Sequence, residues 1–176
     1  MEIGGKRVVL REIEEQDEEM LLHLNKVPEA GKVTGGYSSQ VSYAHQMDWF
    51  RSLADGAGNV RSIIADRKRR AEGLGILVLS DVDLRNGTAE IYIKLIRSAR
   101  GKGYGEEAVK AVVSYGFREL KLKHIYANIL ESNMASRRLF EACGFRKESV
   151  HQSKAYKDGH YENVCCYGIS YEEHFI

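Results

Sequence analysis

The feature that most constrains this chain is the run SARGKGYGEEAVKAVVSYGF, from Ser98 to Phe117. Gly101, Gly103 and Gly105 alternate with Lys102 and Tyr104, and a helical pattern follows without a break. Tyr104, Ala108, Ala111, Val112 and Tyr115 recur at three or four residues and mark one buried stripe. Before the turn, TAEIYIKLI (88–96) sets Ile91, Ile93 and Leu95 on one face of a strand. A strand that feeds a glycine turn opening a helix points several backbone N–H groups at one spot, where the helix dipole adds positive potential. Glycine suits that turn because a Cβ would block the approach of an anion and because positive φ is open to it. Arg100 and Lys102 add charge at the rim. The turn is a candidate phosphate site, with a merely tight strand-to-helix connection as the plain alternative.

Two common phosphate motifs are excluded. A P-loop requires Ser or Thr after Gly-Lys, and here Lys102 is followed by Gly103. The dinucleotide pattern G-x-G-x-x-G requires glycine where Glu106 stands, and its place is at the first strand of a fold.

The rest of the chain supplies context for the turn. Its 176 residues suit one domain, 1–176, large enough to bury a core without staples. No apolar run approaches the roughly 18 residues of a membrane span, and the opening MEIGGKRVVLREIEE has no signal-peptide core, so a cytoplasmic location is expected. Cys143, Cys165 and Cys166 are few, odd in number and not at metal-ligand spacing, which fits reduced thiols and no bound metal. A net charge of +1 gives no global field for nucleic acid or membrane, so any polyanion site must be local.

Along the chain, KRVVLR (6–11) reads as a strand and 14–24 as a helix with an acidic start. A helical pattern also covers 41–53. The runs 60–66 and 74–82 read as a hairpin with the basic RKRRAEG at its tip, joined by 88–96 as a third strand. HIYANIL (124–130) is a strand, Asn133 a candidate N-cap, and Ala135, Leu139 and Cys143 line a short helix stopped at Gly144. Two last runs, 145–149 and 161–169, pair across Lys157-Asp158-Gly159, with Cys165 and Cys166 on opposite faces. The whole is α+β, an antiparallel meander that passes into a β-α-β-α-β half.

RGKGYG contains Arg100, Gly103 and Gly105 at the spacing Arg-x-x-Gly-x-Gly, and NMASRRLFEACGF (133–145) joins an Asn to a short helix ending in an aromatic-x-x-x-Gly-Phe pattern. With these two motifs in this order the sequence resembles the GNAT superfamily of acyl-coenzyme A dependent N-acetyltransferases, chiefly over 88–146. Its length and C-terminal run are more similar to the ribosomal-protein alanine, spermidine and amino-sugar acetyltransferase branch.

The resemblance implies a mixed, mostly antiparallel central sheet with helices on both faces. It also implies acetyl-CoA as cosubstrate. The diphosphate would sit on the backbone of Gly101, Lys102, Gly103, Tyr104 and Gly105, with Arg100 and Glu106 beside it. Leu95, Ile96 and Arg97 would pair with the pantetheine arm as an added strand does, and Asn133 and Ser136 would meet the arm from the other side. The thioester would lie where the strands 90–96 and 124–130 splay apart. Glu90 is the first candidate for the base that deprotonates the acceptor amine, against the plain reading of a solvated strand-end carboxylate. His124 is read instead as a surface residue. Tyr37, Trp49 and Tyr92 are candidates for acceptor contact, with packing as the alternative for Trp49 and Tyr92.

One position departs from the family pattern. Phe140 stands where many members carry a tyrosine that protonates the leaving thiolate, so Tyr156, Tyr161 or water would have to take that role. The change leaves room for a CoA-binding module with weak or no catalysis. The acceptor is a primary amine of a small molecule or a protein N-terminus, and a homodimer is admitted. Binding of nucleic acid through Arg67 to Arg70 is the least favoured reading, since charges commonly keep a hairpin tip soluble.

Overall fold

A computed structural model describes residues 3–26 and 59–175. Its strands form one eight-stranded sheet in the order β1-β2-β3-β4-β5-β6-β8-β7. They are β1 (Ile3–Gly4), β2 (Val8–Arg11), β3 (Val60–Asp66), β4 (Arg69–Asp83), β5 (Thr88–Leu95), β6 (His124–Leu130), β7 (Arg146–Lys157) and β8 (His160–Ser170). Every neighbouring pair is antiparallel except β5 and β6. That parallel pair needs a crossover, which the helix α2 (Tyr104–Arg118) supplies. The other α-helices among the described residues are α1 (Glu18–Lys26), α3 (Met134–Ala142) and the short α4 (Tyr171–Phe175).

Alternation along the strands sets the two layers. On one face Ile91, Ile125, Ala127, Ile129, Cys165 and Tyr167 pack against Ala108, Val109, Val112 and Phe117 of α2. On the other, Leu21 and Leu24 of α1 cover Ile63, Ile76 and Val78. Full burial of each Val, Leu, Ile or Phe among these contributes about 2 kcal/mol. The expected α+β sheet with helices on both faces is therefore the architecture observed.

Details differ where distant contacts override the local pattern. The basic run is not a long hairpin tip: only Arg67 and Lys68 form the turn, and Arg69 onward belongs to a fifteen-residue β4. Asp66 shapes that turn by accepting from the Lys68 N–H at 2.8 Å, and Arg67 Nη2 donates to the Gly5 carbonyl at 3.0 Å. The acidic start of α1 is not wholly solvated either. Asp17 is 2% exposed and receives both Arg11 Nη1 and Nη2, at 2.7 and 2.8 Å, and the Glu14 N–H at 2.8 Å. That ion pair ties the start of α1 to β2. Tyr37, Trp49 and the helix expected over 41–53 lie outside the described residues.

Candidate active site

The parallel contact between β5 and β6 is brief. Thr88 pairs with His124, Ala89 with Ile125 and Glu90 with Tyr126, and there the ladder stops. Beyond it β5 stays on β4 as far as Leu95 opposite Gly75, while β6 stays on β8 as far as Leu130 opposite Val164. The two strands therefore part after Glu90, and each leads to its own helix start. The far half of β5 has one edge on β4 and the other facing the gap.

The glycine turn lies at the end of that free edge. After a 3-10 turn at Arg97–Ala99 the chain passes through Gly101 at φ 72° and Gly103 at φ 85°, the left-handed region where glycine carries no penalty. Gly103 is the N-cap of α2, and no side chain caps the helix. The first N–H groups of a helix have no partner within it, so those of Tyr104, Gly105 and Glu106 depend on something outside it. Gly101, Lys102 and Gly103 are exposed, and a Cβ at Gly101 would meet nothing within 4 Å. Gly105 serves packing instead: a Cβ there would stand 3.2 Å from Leu95 and 3.4 Å from Leu139. Arg97, Ser98, Lys102 and Tyr104 open onto a groove of about 1250 Å³ that reaches Met20 and His23 of α1, so the turn is accessible from solvent.

Several backbone groups before the turn already have partners. Ile96 donates to the Leu74 carbonyl at 2.9 Å and accepts from the Ala99 N–H at 3.0 Å. Arg100 Nε donates to the Leu95 carbonyl at 3.2 Å. The Arg97 N–H opens the 3-10 turn, a position with no partner inside the turn. Across the gap, Asn133 Oδ1 caps α3 by accepting from the Ser136 N–H at 3.1 Å, which leaves the Asn133 amide nitrogen as its donor.

The splay point carries the titratable groups. Glu90, Tyr92 and Lys94 share the face of β5 opposite α2, with Tyr92 packed toward α1. Glu90 Oε1 accepts from Asn128 Nδ2 on β6 at 3.1 Å. Burial raises the Glu90 pKa; the Asn128 hydrogen bond opposes that, nearby Asp81 adds to it and Lys154 subtracts. Burial likewise pushes the Lys94 ammonium down to about 8, and its Nζ lies 5.6 Å from the centre of the Tyr92 ring. Tyr126, raised by burial and then by Glu90, stands beside this group.

Other candidates stand apart from the splay. His124 is paired through Nε2 with Glu148 at 2.8 Å. Tyr156 and Tyr161 are exposed at the tip of the β7–β8 hairpin, edge to face at 5.3 Å. Phe140 is 2% exposed and packs edge to face on Phe145 at 5.0 Å, a core position. Cys143, pushed up to about 12 by burial, is an inert packed thiol.

Two residues of this region carry no local signal in the sequence. Asn128 is one. Arg7 is the other: it donates through Nη1 to the Lys102 carbonyl at 3.0 Å and through Nε to Glu107 at 3.4 Å, and its guanidinium lies 5.3 Å from the Tyr104 ring centre. Tyr104 in turn donates to Asp66 Oδ2 at 2.9 Å. The turn is thus braced from the loop before β2 and from the end of β3.

Residues 7–146 match the family model described as the acetyltransferase (GNAT) domain. An uncharacterized N-acetyltransferase, p20, from Bacillus licheniformis is 33% identical over 148 residues, 82% of each chain. The spermidine N(1)-acetyltransferase of Vibrio cholerae is 25% identical over 104 residues, 59% of each chain. A crystal structure of spermidine N-acetyltransferase from Vibrio cholerae, in complex with CoA and spermine, superimposes with a TM-score of 0.85 at 20% identity, covering 97% of this chain and 99% of that one.

Proposed function

Because the chain belongs to the GNAT acetyltransferase family, we propose that it transfers an acetyl group directly from acetyl-CoA to a primary amine, with the Gly101–Gly105 turn holding the coenzyme. The observation that carries this reading is the uncapped, glycine-opened start of α2 at the end of an unpaired strand edge. The residues fit the coenzyme: positive-φ glycines bare the main chain, and the open N–H groups of Tyr104, Gly105 and Glu106 match an anion. Bound there, the coenzyme supplies an acetyl group activated as a thioester.

Each residue then has a part. The amides of the turn bind the diphosphate, with Lys102 and Arg100 at its rim. The free edge of β5, which ends at Leu95, receives the pantetheine arm by strand addition with the Arg97 N–H just beyond it, whereas the backbone of Ile96 is already used by Leu74 and Ala99; the Asn133 amide and Ser136 meet the arm from α3. Glu90 takes the proton from the acceptor amine, directly or through one water. Its raised pKa makes it a stronger base than an exposed carboxylate, and Asn128 keeps one of its oxygens oriented. Tyr92 lines the same face. Fixing amine and acetyl group side by side at the splay supplies proximity.

The likeness to spermidine acetyltransferases supports a small-molecule amine as acceptor, with a protein N-terminus as the other candidate. The test is a panel of polyamines, amino sugars and peptides with acetyl-CoA, read by free thiol and by mass. One acceptor gaining a single acetyl group is expected. Binding of CoA with no thiol release from any amine would refute transfer.

A further inference from the structure

A cationic donor that neither motif includes reaches the same turn from elsewhere in the chain. Arg7, at the end of the loop before β2, is 55% exposed along its side chain, and two of its three guanidinium nitrogens are tied to the protein. Nη1 holds the Lys102 carbonyl at 3.0 Å and Nε faces Glu107 at 3.4 Å. The third, Nη2, lies against the bare α-carbon of Gly103, 2.6 Å from where a Cβ would be, and has no acceptor among the described residues. Two N–H groups of a fixed cation are thus left at the mouth of the uncapped helix.

The surroundings explain why an arginine is required. The first turn of α2 carries Glu106 and Glu107, two carboxylates next to a site read as anion-binding. Glu106 is turned to Lys110 at 2.6 Å. Glu107 accepts from the backbone N–H groups of Arg7 and Val8 as well as from the guanidinium, and against the opposing effect of its burial these bonds hold its pKa below the usual range. Arg7 also occupies the Lys102 carbonyl, so that this acceptor is not left bare beside an anion site. A lysine, with one nitrogen, cannot do all three.

We propose that Arg7 is a ligand of the coenzyme's diphosphate, donating from Nη2 while its other two nitrogens fix the glycine turn that binds the same group. This rests on the reading of the turn as the diphosphate site. It concerns binding, so the test needs no turnover.

The wild type and Arg7→Gln are titrated calorimetrically with CoA and 3′-dephospho-CoA, and by NMR with pantetheine at millimolar concentration. The variant is expected to bind CoA and dephospho-CoA about tenfold more weakly and pantetheine unchanged, since a charge-assisted hydrogen bond to a phosphate is lost. Unchanged CoA affinity overturns the proposal. So does a loss confined to CoA, which would put the contact at the 3′-phosphate, and so does an equal loss with pantetheine, which would make Arg7 only a support of the fold. Failure of the wild type to bind CoA would bring down the assignment of the turn itself, and this inference with it.

Discussion

Two helices that flank the same gap begin in opposite ways. Asn133 closes the start of α3 with its own side chain, whereas Gly103 opens α2 with none. The 3-10 turn Glu15–Asp17 that leads into α1 is closed as well, by the Asp17 carboxylate, which accepts from the Glu14 N–H and from Arg11. A start that uses a side-chain cap stabilises the fold and has little left for a ligand. One that omits the cap keeps its donors for something else. The uncapped start of α2 lies at the end of the free edge of β5, so its lack of a cap and its position point to the same use.

The contrast can be broken or sharpened experimentally. The largest effect is expected from Gly103→Asp, which forces a side chain into a left-handed position, against Arg7, with its charge at the open start. Calorimetry should find no CoA binding while circular dichroism shows a folded protein; retained binding would mean that the open start is not the anion site.

Glu90→Gln should separate grip from chemistry. kcat is expected to fall by about 10²- to 10⁴-fold, the range for loss of a general base, with CoA affinity unchanged. The pH profile sharpens this. Glu90 must be ionised to act, and its pKa is raised, so wild-type activity should fall as pH drops through a value above the usual carboxylate range. That acid limb should vanish in the variant. A limb that persists would assign it to another group.

In the 3-10 turn before α1, Asp17→Ala leaves the Arg11 guanidinium buried without its counter-charge. About 3–5 kcal/mol of stability should be lost in denaturant titrations, with the CoA affinity of the folded fraction unaltered. At α3, Asn133→Ala should cost about 1 kcal/mol through the lost cap. Asn133→Ser, which restores a cap oxygen but not the amide, should recover that stability without recovering any CoA affinity lost with it. Recovery of both would show that Asn133 serves the helix alone.

Much of this was legible along the sequence because it is local. The glycine turn, the stripe of α2, the strand at 124–130 and the Asn133 cap all depend on residues within a turn or two of one another. The buried stripe differs in detail, since Val109, Val113 and Phe117 face the sheet as well as Ala108 and Val112. Arg7 was not legible because its partners are 95 to 100 residues away, and no local pattern marks an arginine that will reach a distant carbonyl. Asn128 is equally silent: only the pairing of β5 with β6 brings it to Glu90. Asp17 reads as one acid among several until the fold buries it beside Arg11. RKRRAEG looked like a loop from its charge, yet an exposed strand end tolerates such residues while its backbone remains paired.

The short rung count between β5 and β6 has a wider consequence. A seam left unstitched in the middle of a sheet offers main chain, and main chain has the same chemistry whatever residues are strung along it. Side chains bordering the seam can therefore be exchanged over generations to suit new acceptors while the donor half of the reaction stays as it was.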